Sequence, residues 1–378
     1  MAPLKLPPRN ESELQRRQNE GELRVRSAAE FRALVAQSDL AEAYQHTDVV
    51  VAANAEFTDQ ASLHLSLGPA DPPIRLRDPV LGGVAGLASG CGGDLLLPIS
   101  GAARVLADLL AGEAVDFGAT GEATLLQPRR ELHTRLDLEA IGGGQLLLHR
   151  GIVENGLVAV SSAPGLIRTP WGPLLGPFGN ALYSCSGADS IGLAMPGLAL
   201  LGPGSPVLVG GAIGWVVGSG SGHQPAPQRL PSGHARSPGA VAALSVDLHG
   251  LSPHWVRACH FEGHGSALLV AIAAPIPLIS PAVARQIASD EGALEAPVLD
   301  VSIPRRLKPS FGGVPYSSLR QGEIRVDGRR IPAAPAHSPR LAQAMGLELI
   351  SQLQSGAFPL RLPLLPLGPR PTLVPLPP

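Results

Sequence analysis

The chain has 378 residues, a formal net charge of −2, 44% hydrophobic residues and only 16% charged ones. The near-neutral balance excludes the basic footprint of a nucleic-acid binder, and the longest apolar run, Ala267 to Ile279, is too short and too proline-broken to span a membrane. Three cysteines, Cys91, Cys185 and Cys259, are too few and too scattered for a disulfide framework or a zinc site.

Residues 1 to about 9 read as a loose arm, and "MAPLKLPPRNESELQRRQNE" has no apolar signal core, so a soluble cytoplasmic protein is expected. Ser12–Gln15 and Ser27–Glu30 have capping-box spacing, and the second opens a helix with Phe31, Leu34 and Val35 on one face. "DVVVAANA" reads as a buried strand. "GAARVLADLLAGE" reads as a helix with Val105, Leu106, Leu109 and Leu110 as its stripe and Gly112 at C′. "GQLLLHRG" and "GLVAVSS" read as strands. "PVLVGGAIGWVVGSGSGHQP", Pro206 to Pro225, reads as a strand feeding a long loop to Pro238. A further strand runs from Ala267 to Ala273 and ends at "APIP". Ser280-Pro281 and Ser338-Pro339 each place an N-cap before a proline at N1.

The fold class expected is α/β, with a mixed α+β arrangement as the alternative. A single large glycine-rich domain, with a mixed sheet and flanking helices, covers residues 20–358. Residues 1–19 form an N-terminal arm, and 359–378 a proline-rich flexible tail.

The glycine loop is not a nucleotide cradle. It has no lysine for a Walker pattern. Gly218, Gly220 and Gly222 are spaced Gly-x-Gly-x-Gly, and "HQPAP" cannot open the helix a dinucleotide site needs. What remains is bare backbone able to approach a ligand, with His223 as a proton or hydrogen-bond donor, or else a tight crossing of two strands.

The same stretch, with "DPPIRLRDPVLGGVAGLASG", "ATGEATLLQPRREL", "HFEGHGSALLVAIAAPIPLI" and "DVSIPRRLKPSFGGVPYSSLRQGEIRVDGRRI" in that family's order, resembles the homocysteine-biosynthesis proteins over roughly residues 20 to 358. The resemblance implies sulfur incorporation into aspartate semialdehyde to form homocysteine, with sulfide or a persulfide as donor. It also implies reduction by an external iron–sulfur, ferredoxin-like protein. No cofactor or metal bound by the chain itself is expected. Such chemistry asks for a thiolate near positive charge, donors for an oxyanion, and partners for a carboxylate and an ammonium group.

The chain departs from the family pattern at both of its thiols. The position of one of them, close before the Pro-Arg pair, is Leu126 here, and the stretch "NAEFTDQAS" has no cysteine. Cys185, in a glycine- and serine-rich loop, is the candidate catalytic thiol, or a small loop filler; Cys91 is similar, and Cys259 reads as core. His223 and His264 are candidate acid–base groups, or structural hydrogen-bonders. Arg129 and Arg130 form a candidate substrate clamp, or a solvated turn. Gly218, Gly220 and Gly222 are candidate substrate contacts, Glu262 a candidate ammonium partner, and Arg305 and Arg306 a substrate or partner contact, or surface charge. The missing thiols also fit a non-catalytic paralogue that binds a metabolite or a partner protein; a weaker third reading is an acyl- or CoA-handling enzyme.

Overall fold

The chain was examined as a computed structural model, which describes residues 6–89, 93–231, 233–305, 308–371 and 373–374. Its architecture is mixed α/β in one domain. The central sheet has eleven strands among the described residues, and two of them form its spine. Val49–Thr58 and Gly265–Pro277 pair antiparallel over ten residues, from Val49↔Pro277 to Thr58↔Leu268. Both are mostly apolar because both faces of the sheet are covered, with Asn54 and Glu56 as polar exceptions toward the end of the first. Val50, Ala52, Leu268, Val270, Ile272, Ala274 and Ile276 pack into one core; Val49, Val51, Ala53, Ala55, Leu269, Ala271 and Ala273 pack into another. This is the period-two alternation of a strand between two layers.

The helix Ile99–Leu110 packs on the first face, with Val105, Leu106 and Leu109 buried and Gly112 at positive φ after its end. The helix Pro339–Gln354 covers the second face; Ser338 caps it and a proline holds its first turn. Ser280 and Pro281 open the helix Pro281–Ile287 in the same way. Ser27 and Glu30 form a reciprocal capping box on Ala28–Gln37. The first helix, Glu11–Asn19, starts two residues earlier than its sequence suggests: Asn10, not Ser12, is the cap.

Two strands differ from expectation. Pro206–Val209 and Ala212–Ser219 form a hairpin, not one strand. Gly210 and Gly211 make its turn with φ of 61° and 96°, the positive values a tight hairpin turn requires. Gly265–Pro277 also continues through its prolines, because Pro275 and Pro277 lie where it pairs only with Val49–Thr58.

A six-stranded sheet carries its own core around Val158, Val160, Val298, Tyr316 and Ile331. A four-stranded sheet holds Val115–Gly121 and Glu131–Leu136. Gly165–Thr169 and Gly172–Gly176 form a separate two-stranded hairpin.

Described residues near both ends of the chain contact the domain. Arg9 donates to Thr47 O at 2.8 Å and lies over the Tyr44 ring. Described residues of the proline-rich tail make specific contacts with the domain. Leu360 is buried, its carbonyl accepts from Gln15 Nε2 at 2.9 Å, and the Leu362 amide donates to Glu11 at 3.1 Å. Further on, the Ser219 hydroxyl donates to Gly368 O.

Candidate functional site

A cavity of about 280 Å³ opens where the central sheet meets the second sheet. That is metabolite scale. Its walls come from Asn54 to Gln60, from Leu148, Arg150, Gly151 and Val153, from Asn155 to Leu157, from Ser184, and from Val270 and Ile272. Pro170 and Trp171, at the tip of the two-stranded hairpin, close one side.

The sheet produces this opening by local irregularity. The strand Ile141–Val153 pairs with Val241–Asp247 from Gln145 to Leu148, and again from Ile152, with a register break between. Two extra residues are accommodated there, and such bulges re-aim side chains. The result puts Arg150 on the cavity wall. Its guanidinium donates to Ser221 O at 3.3 Å, and among the described residues no carboxylate forms an ion pair with it. Burial lowers its pKa, and the negative charge of Glu56 partly restores it.

Glu56 belongs to the outer end of Val49–Thr58, on the face that carries Val50 and Ala52 further in. It opens to the cavity on one side and is enclosed by protein on the others. Asn54 Nδ2 donates to Glu56 Oε1 at 2.5 Å, while Asn54 Oδ1 accepts from the Ile191 amide at 2.8 Å. The second bond fixes which way the Asn54 amide faces. Burial pushes the Glu56 carboxyl up to about 7, against the opposing effects of Asn54 and Arg150. Asp59, paired through Oδ2 with His264 Nε2 at 3.2 Å, is a second carboxylate lining the cavity.

Most of the sequence-predicted residues lie elsewhere. The loop around Cys185 does not expose it: the side chain is 3% accessible and sits behind the floor, where a Cβ on Gly156 would lie 2.3 Å from its own. Burial pushes its thiol pKa up, and the charge of Glu56 adds to that. Cys259 is half-buried, and burial raises its thiol too; Cys91 is outside the described residues.

His223 is not an acid–base group of this cavity. Its Nδ1 lies against the Val241 backbone, 3.0 Å from the amide nitrogen and 3.2 Å from the carbonyl oxygen, its Nε2 is buried with no partner among the described residues, and burial lowers its pKa. Gly218, Gly220 and Gly222 do not line the main cavity either. Gly220 is a tight crossing, where a Cβ would lie 2.7 Å from both His149 O and Val241 Cγ1. Gly222 makes room for Arg150, whose Nη1 would be 2.8 Å from a Cβ there. Gly218 and Gly220 border a shallow depression beside the tail residues Gly368 to Arg370.

Arg129 clasps the backbone of the preceding segment, donating to Asp71 O at 2.6 Å, and Arg130 is exposed. Neither reaches the cavity, since both stand on the four-stranded sheet's side of the molecule. Glu262 is exposed and pairs with Arg168 at 3.2 Å, tying down the hairpin that carries Trp171. Arg305 is exposed, and Arg306 is outside the described residues. Leu126 is exposed as well.

Sequence reasoning missed Glu56 and Arg150. The available signal was a single charge inside each of two apolar runs, "VVVAANAEF" and "LLLHRG", since a buried unpaired charge is rare without a purpose.

The model of a family described as homocysteine biosynthesis enzyme, sulfur-incorporation, matches residues 23–360. The chain belongs to that family. It is 28% identical over 361 residues to the L-aspartate semialdehyde sulfurtransferase of Methanosarcina acetivorans, covering 93% of this chain and 70% of that protein. The protein of the same name from Methanocaldococcus jannaschii is 27% identical over 340 residues, covering 84% of this chain and 64% of its own. No solved structure matches the chain. Among the described residues, no helix is long and apolar enough to cross a membrane.

Proposed function

We propose that the chain incorporates sulfide into L-aspartate semialdehyde to form homocysteine, with two electrons from an external reductant of the iron–sulfur, ferredoxin-like class. The observation that carries this reading is Arg150, an enclosed guanidinium on the wall of a metabolite-sized cavity that has no ion-pair partner among the described residues. A substrate carboxylate completes it, because planar guanidinium and carboxylate groups pair through two parallel hydrogen bonds. Asp59 suits the ammonium group.

The chemistry balances without a protein thiol. Hydrosulfide attacks the aldehyde carbon and, with one proton, gives the thiol–hydroxyl adduct. Loss of water leaves a thioaldehyde. Two electrons and two protons then give the thiol and restore nothing else. The protein contributes orientation and electrostatics, and positioning alone is worth about 7–11 kcal/mol in well-aligned reactions.

Purified protein incubated with aspartate semialdehyde, sulfide and a low-potential reductant should form homocysteine, read by mass spectrometry. A second reading, a metabolite-binding paralogue without turnover, is favoured by the burial of Cys185 behind the floor. Saturable semialdehyde binding with no homocysteine would establish that second reading in place of the first.

A further inference from the structure

We propose that Glu56 is the proton carrier of the dehydration step, giving its proton to the hydroxyl oxygen of the sulfur adduct and taking one back from the adduct's S–H. This rests on the sulfur-incorporation reading above. In the step the C–O bond breaks and its electron pair leaves with oxygen, which Glu56 protonates to water. The S–H proton passes to the carboxylate as its electron pair forms the C=S bond. Glu56 ends as it began, and no co-reactant is needed.

Three features of the geometry support the assignment. Glu56 and Arg150 line the same cavity and form no ion pair with each other among the described residues, so a substrate anchored on the guanidinium presents its other end to the remaining wall. Asn54 Nδ2 donates to Glu56 Oε1 at 2.5 Å, and its own orientation is locked by the Ile191 amide, so Oε1 accepts and the opposite oxygen is left to carry the proton. Trp171 and Pro170 shield this side from bulk water, which favours proton transfer within the cavity.

The titratable neighbours do not compete for the role. Arg150 lines the same cavity and is a hydrogen-bond donor to Ser221 O. Cys185 and Tyr316 lie behind the floor with their pKa values raised by burial, so both stay neutral near pH 7. His337, bridged to the Glu56 backbone, is pushed down to about 4 by burial and is neutral too. Asp59 is engaged by His264. Glu56, at about 7, has a proton that moves near neutrality.

The test compares wild type, Glu56→Gln and Glu56→Asp at saturating sulfide across pH 5.5 to 9. Glu56→Gln should lower kcat by at least about 10²-fold and leave the semialdehyde KM within about twofold. Wild-type kcat should fall as pH rises through 7, and the residual rate of Glu56→Gln should lack that fall. Glu56→Asp should retain part of the rate together with the pH dependence. Thermal melting checks that each variant is folded, and semialdehyde binding by calorimetry checks the cavity. Unchanged kcat in Glu56→Gln, or the same alkaline fall in that variant, overturns the proton-carrier assignment while the sulfur-incorporation reading stands. No homocysteine from wild type overturns the parent reading, and this one with it.

Discussion

Replacing Glu56 by Gln should stabilise the fold at alkaline pH even as it removes the proton carrier. The folded carboxyl is pushed from 4.5 up to about 7, chiefly by burial. In the unfolded chain it ionises near its ordinary value. Between those two pH values the native state holds a proton that the unfolded state has released, so stability falls as pH rises across the window and levels off above about 7. A rise from 4.5 to about 7, at 1.36 kcal/mol per unit, amounts to at most about 3 kcal/mol, since the carboxyl is open to the cavity on one side. Gln keeps the acceptor for Asn54 and never ionises. For 378 residues, an unfolding entropy of about 2.1 cal/mol/K each is about 0.8 kcal/mol/K, so the variant should melt about 4 °C above wild type at pH 8. At pH 5 about a quarter of the free-energy difference should remain. Scanning calorimetry at both pH values decides the matter. An equal gain at pH 5 and pH 8, or none at pH 8, would show that Glu56 ionises normally and would refute the reasoning.

Arg150→Ala should raise the semialdehyde KM by about 10- to 100-fold, the worth of a charge-assisted pair, and Arg150→Lys should recover part of it in steady-state assays. Arg129→Ala should leave KM unchanged and lower stability by about 1 kcal/mol, because its hydrogen bond to Asp71 O is structural. Native alkylation followed by peptide mass spectrometry should label the half-buried Cys259 ahead of Cys185, and the reverse order would show that the floor opens. Truncation after Phe358 should cost about 2 kcal/mol through loss of the buried Leu360 side chain, seen as a lower melting temperature; an unchanged melt would mean that the tail is not docked in solution.

What the sequence made legible was local. Ser27 with Glu30, Ser280 with Pro281, Ser338 with Pro339 and Gly112 all do what their side chains or lack of one dictate within a single turn. The buried strands were readable from unbroken apolar runs. The Gly210–Gly211 turn was hidden because glycine serves loops and hairpin turns alike, and the strand past Ala273 because proline is tolerated where only one edge is paired. The cavity was not legible at all. Its walls come from segments about a hundred residues apart, joined by strand register, and Arg150 faces it only because of a bulge that has no local sequence signature. The stretch 54–62, noted for lacking a cysteine, does supply one wall, while the Pro-Arg segment lies outside it.

The charges of the cavity also explain each other's persistence. An enclosed guanidinium without a partner costs free energy, and so does an enclosed carboxyl forced to ionise. A fold selected for stability alone would bring the two together as an ion pair or replace both with apolar side chains, which is often as stable. Here they line one cavity with no ion pair among the described residues, with Gly222 making room for one and Asn54 orienting the other. That arrangement is what a site requires when a small zwitterion must supply the missing charges. On the proposed reading, a substrate carboxylate on Arg150 relieves the guanidinium, and the reacting end faces a carboxyl that keeps a proton in about half of the molecules at neutral pH. The buried Cys185, held apart by the Asn155–Gly156 floor, takes no part in that exchange. On the sulfur-incorporation reading proposed above, sulfide reaches the aldehyde as a free nucleophile, and Arg150 and Glu56 are the two side chains of this cavity assigned to anchor the substrate and move its proton.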